Sequence, residues 1–195
     1  MRITAVLVAS ALLAATALGG CAAIDFPWPG PSEPSSKSSG DVAEPETGPD
    51  DAVIKATIAR VYLEDAKERL EDVSIDVYQG RVMLTGAVAD AADRALAVRL
   101  AGTVRNVNQV IDEIQVTSQG GFATTARDLI VETKLKAKLL LAKGIAWANY
   151  RWRAVNGIVY LFGQANDRRE LDRVVAIARD TDDVRSVVTH VLVPG

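Results

Sequence analysis

Cysteine and histidine each occur once in the 195 residues. Cys21 has no second thiol with which to form an intramolecular disulfide, and His190 has no histidine or cysteine near it with which to share a metal ion. Also missing are H-E-x-x-H, G-x-S-x-G and any glycine-rich loop that would cradle a phosphate. The Asp and Glu residues fall mostly on helix faces and turns, where solvated surface is the ordinary role. These absences argue against an enzyme: no catalytic residue, metal, cofactor or small-molecule substrate is expected. An excess of basic charge is lacking as well, since 22 Lys and Arg stand against 25 Asp and Glu for a net charge of −3, so nucleic acid is not an expected partner. Nor is there a run long enough to cross a bilayer. The longest uncharged apolar stretch, residues 3–18, falls short of the ~20 residues a spanning helix needs.

That stretch follows Arg2 and ends in Leu18-Gly19-Gly20-Cys21, which resembles a bacterial lipobox. Residues 1–20 read as a lipoprotein signal peptide, and Cys21 as the acylated first residue of the mature chain. Position 22 is Ala rather than Asp; by resemblance to lipoproteins sorted at that position, delivery to the outer membrane is favoured. Residues 21–50 form the lipidated N-terminus and a tether rich in Pro, Ser, Gly and Glu, too poor in apolar groups to offset the entropy of ordering and therefore expected to be disordered.

Beyond the tether the chain repeats itself. Gly80-Arg-Val-Met-Leu-Thr-Gly86 returns as Gly157-Ile-Val-Tyr-Leu-Phe-Gly163, and a gapless shift over the 77 positions between them also aligns Asp51 with Asp128, Ile58 with Leu135, Ala101 with Ala178 and Val110 with Val187. Two copies of a period this long indicate tandem modules, not a solenoid. They occupy residues 51–118 and 128–195, joined by a linker at 119–127. Ile54, Ile58 and Tyr62 line one face of a first helix that continues through the charged Asp65–Glu71. Ile75–Val77 and Val82–Thr85 alternate as strands about the turn at Gln79-Gly80, and the closing Gly86 reads as the strand end. Asp90 and Asp167 are placed to cap second helices, the first spanning 91–102, and Val110–Val116 and Val184–Val193 read as last strands. The predicted fold is therefore α+β: two α-β-β-α-β modules, each a three-stranded mixed sheet with two helices on one face and a right-handed crossover between its parallel strands. The other sheet faces carry Tyr78, Met83 and Ile111 in one module and Val155, Tyr160, Phe162, Val188 and Leu192 in the other. They are too apolar for water, so the modules are predicted to pack through them.

The paired G-x-V-x-L-x-G motifs, the helix after each and the V-x-x-V step into each last strand, behind a lipobox, resemble the BON domain family. The resemblance implies a non-catalytic, lipid-anchored outer-membrane protein that faces the periplasm, supports outer-membrane integrity and binds anionic phospholipid through the first helix of its second domain. The residues point to the same helix independently. Residues 51–118 hold 8 basic and 11 acidic groups, whereas residues 128–195 hold 11 and 8. Thr57, Ala59, Val61 and Ala66 of the first copy become Lys134, Lys136, Lys138 and Lys143, and Glu64 becomes Leu141. Lys134, Lys136, Lys138 and Lys143 are expected to attract an anionic membrane surface while Leu140, Leu141 and Trp147 insert. The same lysines also complement the helix macrodipole, a purely structural role. A second functional reading also stays open: a protein-interaction or chaperone-like adaptor with outer-membrane assembly proteins as partners, using Tyr160, Phe162 and Leu192.

Overall fold

The computed structural model of the chain describes residues 49–117 and 126–195. Cys21, the expected signal segment and most of the expected tether and linker lie outside the described residues; residues 49 and 50, assigned to the tether, begin the first helix. The first module runs α1 (Pro49–Leu70), β1 (Val73–Tyr78), β2 (Arg81–Val88), α2 (Ala91–Gly102) and β3 (Gln109–Val116). The second runs α3 (Ala126–Leu141), a single 3-10 turn (Trp147–Asn149), β4 (Tyr150–Val155), β5 (Ile158–Gln164), α4 (Arg168–Arg179) and β6 (Ser186–Leu192). Each sheet has its second strand in the centre, antiparallel to the first and parallel to the third. This is the α+β double module expected from the repeat.

The hairpin turns are built identically in the two copies. Gln79 (φ 52) and Gly80 (φ 73) adopt left-handed backbone, as do Asn156 (φ 52) and Gly157 (φ 76), the two-residue turn whose twist matches that of the flanking strands. A buried carboxylate from the first turn of the preceding helix secures each one. Asp51 accepts the N–H of Gln79 at 2.7 Å and of Gly80 at 2.8 Å; Asp128 accepts those of Asn156 and Gly157, both at 2.9 Å. Helix start and hairpin tip are thus tied together. Asp90 and Asp167 cap as expected, accepting the N–H of Asp93 at 2.8 Å and of Glu170 at 2.7 Å.

Three boundaries differ from expectation. The closing glycines do not end their strands: β2 continues to Val88 and β5 to Gln164. Instead they permit close approach. A Cβ on Gly86 (φ 115) would lie 2.1 Å from the carbonyl oxygen of Asp72, and one on Gly163 (φ 118) 2.0 Å from that of Asn149. The first helix is interrupted at Ala66 (φ −155, ψ 31), and its counterpart in the second module stops at Leu141, so the copies diverge at the same end of the same helix. Finally, β6 begins at Ser186 because Val184 is held in a turn, its N–H bonded to the carbonyl of Thr181.

Each pair of helices covers one sheet face, enclosing Ile58, Val82, Leu84 and Ala97 in one module and Leu135, Val159, Leu161 and Val174 in the other. The opposite faces pack on one another through Met83, Ile111, Val155, Tyr160 and Phe162, with Tyr78 and Val188 at the margin. Leu192 is the exception to the predicted set, remaining 42% exposed at the last residue of β6. Residues at equivalent positions meet across this interface. Arg153 Nε donates to Asp76 at 3.1 Å, and His190 Nε2 lies 2.7 Å from Glu113 Oε1, both pairs separated by the 77-residue repeat. The Arg81 guanidinium stacks 5.0 Å from the Phe162 ring centre and donates to the His190 carbonyl at 3.1 Å. Gln115 donates to the Tyr160 hydroxyl at 3.2 Å and accepts from Asn156 at 2.8 Å.

Candidate functional site

Helix α3 is apolar on two opposite sides. Asp128, Val131, Leu135 and Leu139, spaced at i, i+3, i+7 and i+11, are buried against the second core. That stripe satisfies the packing needs of the helix. Yet Leu129 is 53% exposed, Ile130 51%, Leu140 36% and Leu141 83%, with exposed Thr133 and Ala137 between them. At 100° per residue these six positions fall together on the outer side, roughly opposite the core stripe.

The lysines border this outer stripe in two rows. Lys134 and Lys138 lie on the border facing the turn after α4, where Lys134 Nζ pairs with Asp182 at 2.8 Å and Lys138 Nζ with Asp180 at 3.0 Å. The hydrogen bond from Lys134 pulls the Asp182 carboxyl below its ordinary range, and the same bond raises Lys134. Lys136 lies on the other border, and Lys143 follows two residues after the helix end at Leu141. Among the described residues neither Lys136 nor Lys143 forms an ion pair. The equivalent helix α1 exposes Val53 and Leu63 but has Thr57, Ala59 and Val61 at the lysine positions and an Arg60–Glu64 pair, at 2.9 Å, along its outside.

Trp147 is placed differently from the insertion expected of it. It sits in the 3-10 turn, half-buried against the second core with Ala142 and Trp152, because the early end of α3 returns the chain toward the sheet. Trp152 donates its indole N–H to the Glu132 carbonyl at 3.3 Å. The structure therefore brings Leu140 and Leu141 together with the lysines on one outer surface and turns Trp147 inward. Glu132, on the flank of α3, accepts the Ala154 N–H at 2.8 Å; burial pushes its carboxyl up, and Arg153, 3.6 Å away, offsets part of that rise. The pairing of Asp180 and Asp182 with the lysines was not anticipated. Its signal was present in the repeat, where these aspartates align with Thr103 and Arg105.

Other sites are weaker. A cleft of about 360 Å³ opens beside the start of α3, but Arg127 and Arg185 share its lining with Asp128 and Asp183, so it favours neither sign of charge. Among the described residues no group of three His, Cys, Asp or Glu is placed to hold a metal ion, and no helix is long and apolar enough to cross a membrane.

Comparison with known proteins matches the BON domain twice, at residues 50–118 and 127–195. An uncharacterized protein in the gshII 5′ region of Anaplasma centrale is 32% identical over 120 residues, covering 61% of this chain and 80% of that protein. Osmotically-inducible protein Y of Escherichia coli K12 is 29% identical over 140 residues, 71% of this chain and 70% of the relative. Outer membrane lipoprotein DolP of Haemophilus influenzae is 26% identical over 140 residues, 71% and 72% of the two chains. With both α-β-β-α-β modules matched, the chain belongs to the BON domain family as a tandem two-domain member.

Proposed function

We propose that this is a non-catalytic envelope protein whose second BON module docks on anionic phospholipid through the outer face of α3. Acylation of Cys21 would hold it at the outer membrane, facing the periplasm, in support of outer-membrane integrity. The carrying observation is that α3 keeps Leu129, Ile130, Leu140 and Leu141 in solvent although its core stripe is complete, with lysines on both borders. A shallow apolar strip edged by ammonium groups suits a bilayer interface: the apolar part enters the headgroup boundary, while each lysine near an anionic surface contributes ~1 kcal/mol. The kinship with a protein named as an outer membrane lipoprotein supports the location. The adaptor reading draws less support, because two of the three residues it relied on, Tyr160 and Phe162, are buried between the modules and only Leu192 stays exposed.

The test is co-sedimentation of the chain, with Cys21→Ser to prevent acylation, on phosphatidylglycerol vesicles. Lys136→Glu with Leu141→Asp should reduce binding by roughly tenfold or more, whereas Leu63→Asp with Lys67→Glu on α1 should change it little. Equal binding to phosphatidylcholine vesicles refutes the lipid reading. Mass spectrometry of the mature N-terminus separately tests acylation at Cys21.

A further inference from the structure

Two of the four lysines on and just after α3 are already engaged. Lys134 and Lys138 reach across to Asp182 and Asp180, the former at 2.8 Å and the latter at 3.0 Å, while among the described residues Lys136 and Lys143 form no ion pair. The acidic turn is built in. Its middle residue, Thr181, is buried and donates its hydroxyl to the Ile177 carbonyl at 2.9 Å, and Asp180 closes α4 with its N–H on the Ala176 carbonyl at 3.0 Å. The aspartates are therefore presented from fixed backbone.

Their charge is not needed for the turn itself. The first module makes the same turn at 103–106: the N–H groups of Val104 and Val107 bond to the carbonyls of Ala101 and Val104 as those of Thr181 and Val184 bond to Ala178 and Thr181, and Asn106 (φ 68) matches Asp183 (φ 67). There the corresponding residues are Thr103 and Arg105, with Thr57 and Val61 at the lysine positions. The two copies thus differ at four positions, and in the second these carry two lysines and two aspartates in pairs that touch.

We propose that Asp180 and Asp182 act as an intramolecular counter-surface that competes with anionic headgroups for Lys134 and Lys138. The inference rests on the lipid reading of α3 and assigns it a regulator. Until the pairs open, attraction comes chiefly from Lys136 and Lys143. Exposed ion pairs of this kind are weak, so the turn tunes membrane affinity without blocking it. Close approach to a sufficiently anionic surface releases both lysines, which makes binding depend more steeply on anionic lipid content than two free lysines would.

The experiment is vesicle binding by the full chain carrying Cys21→Ser, at graded phosphatidylglycerol content. Asp180→Asn with Asp182→Asn should raise affinity roughly three- to tenfold over the parent. A matched pair, Glu64→Gln with Asp172→Asn, removes the same charge from the Arg60 and Arg168 pairs and should raise it much less. In the parent, Lys134→Ala with Lys138→Ala should weaken binding less than Lys136→Ala with Lys143→Ala; in the Asn background the two losses should become similar. Amine acylation followed by mass spectrometry should show Lys134 and Lys138 reacting faster once the aspartates are removed. If the parent binds anionic vesicles but the Asn pair gains no more than the matched control, the counter-surface is overturned and the lipid reading stands. If the parent binds neutral and anionic vesicles alike, both fall.

Discussion

Replacing Asp128 with alanine tests the tie between helix and hairpin. The carboxylate accepts two backbone N–H groups at 2.9 Å, from Asn156 and Gly157. A hydrogen bond to a charged group contributes ~1.5–3 kcal/mol net, and a buried donor left without a partner costs a similar amount. The two donors differ in access to water. Asn156 is exposed, so solvent can replace much of its bond, whereas Gly157 is buried and cannot be rescued in that way. The expected loss is therefore ~2–4 kcal/mol, not the full sum for two bonds. For a unit of this size that lowers the melting temperature by roughly 5–15 °C. Asp128→Asn should lose at least half as much, because the amide keeps one acceptor and turns a donor toward the second N–H. Urea denaturation and calorimetry measure both. The first module repeats the experiment: Asp51 holds Gln79 and Gly80 at 2.7 and 2.8 Å, and Asp51→Ala should behave alike. A loss below ~0.5 kcal/mol at either position would refute the reasoning, since that is the range of a neutral surface change.

Gly163→Ala should destabilise by at least ~3 kcal/mol, since the added Cβ would lie 2.0 Å from the Asn149 carbonyl oxygen at a φ of 118; near-native urea stability would show that the strands can separate cheaply. Arg153→Met should cost ~2–4 kcal/mol by leaving Asp76 buried with only Lys55, 3.9 Å away, and adding Asp76→Asn should restore part of it; additivity of the two changes in a double-mutant cycle would dismiss the pair. Burial raises the folded-state pKa of Glu132, so its contribution relative to glutamine is full below the unfolded value and is lost as pH rises through the folded one. Glu132→Gln should therefore compare more favourably with the parent at pH 7.5 than at pH 4, and denaturation curves showing the opposite trend would contradict the burial argument.

Local periodicity carried most of the fold. Val82 and Leu84 alternate with Met83, and the pleat sends the first two to the helices and the third to the partner sheet. The helix caps at Asp90 and Asp167 were legible because their partners lie three residues away. Asp128 was not legible in the same way. An acid in a first turn reads as a complement to the helix dipole, and only the folded chain brings it to the hairpin 28 and 29 residues onward. Gly86 and Gly163 misled for a related reason: a glycine inside a strand reads as a stop, while its use here is to let the neighbouring backbone approach. Of the candidate site, Leu141 and the lysine positions emerged from comparing the copies, and Leu140 from the helical period, which leaves it off the core-facing stripe. Trp147 did not follow, because the early end of α3 reverses the direction it faces.

The asymmetry between the modules divides their surfaces by task. Like residues would oppose one another if two identical copies met through these sheet faces, giving Asp76 on Asp76 and Glu113 on Glu113, or Arg153 on Arg153. In this chain the equivalent positions are oppositely charged or oppositely chargeable: Asp76 meets Arg153, and Glu113 meets His190. The sheet face of each module is thereby matched to the other module and disfavours pairing with its own kind. Burying Tyr160 and Phe162 there leaves the helices as the outward surface. On that surface the copies differ again, at Glu64 against Leu141 and at Val61 against Lys138. The first helix also exposes Val53 and Leu63 but sets the Arg60–Glu64 pair beside them and has no lysine at the equivalent positions, whereas the second presents leucines between lysine rows. Under the function proposed for α3, one duplicated fold supplies an internal partner and an external binding face, and the residues that separate the two roles are few enough to exchange by mutation. Transferring Lys134, Lys136, Lys138 and Leu141 to positions 57, 59, 61 and 64 should give α1 vesicle binding of its own, and failure to do so in a folded variant would mean that the sheet or the acidic turn, not the helix face, confers it.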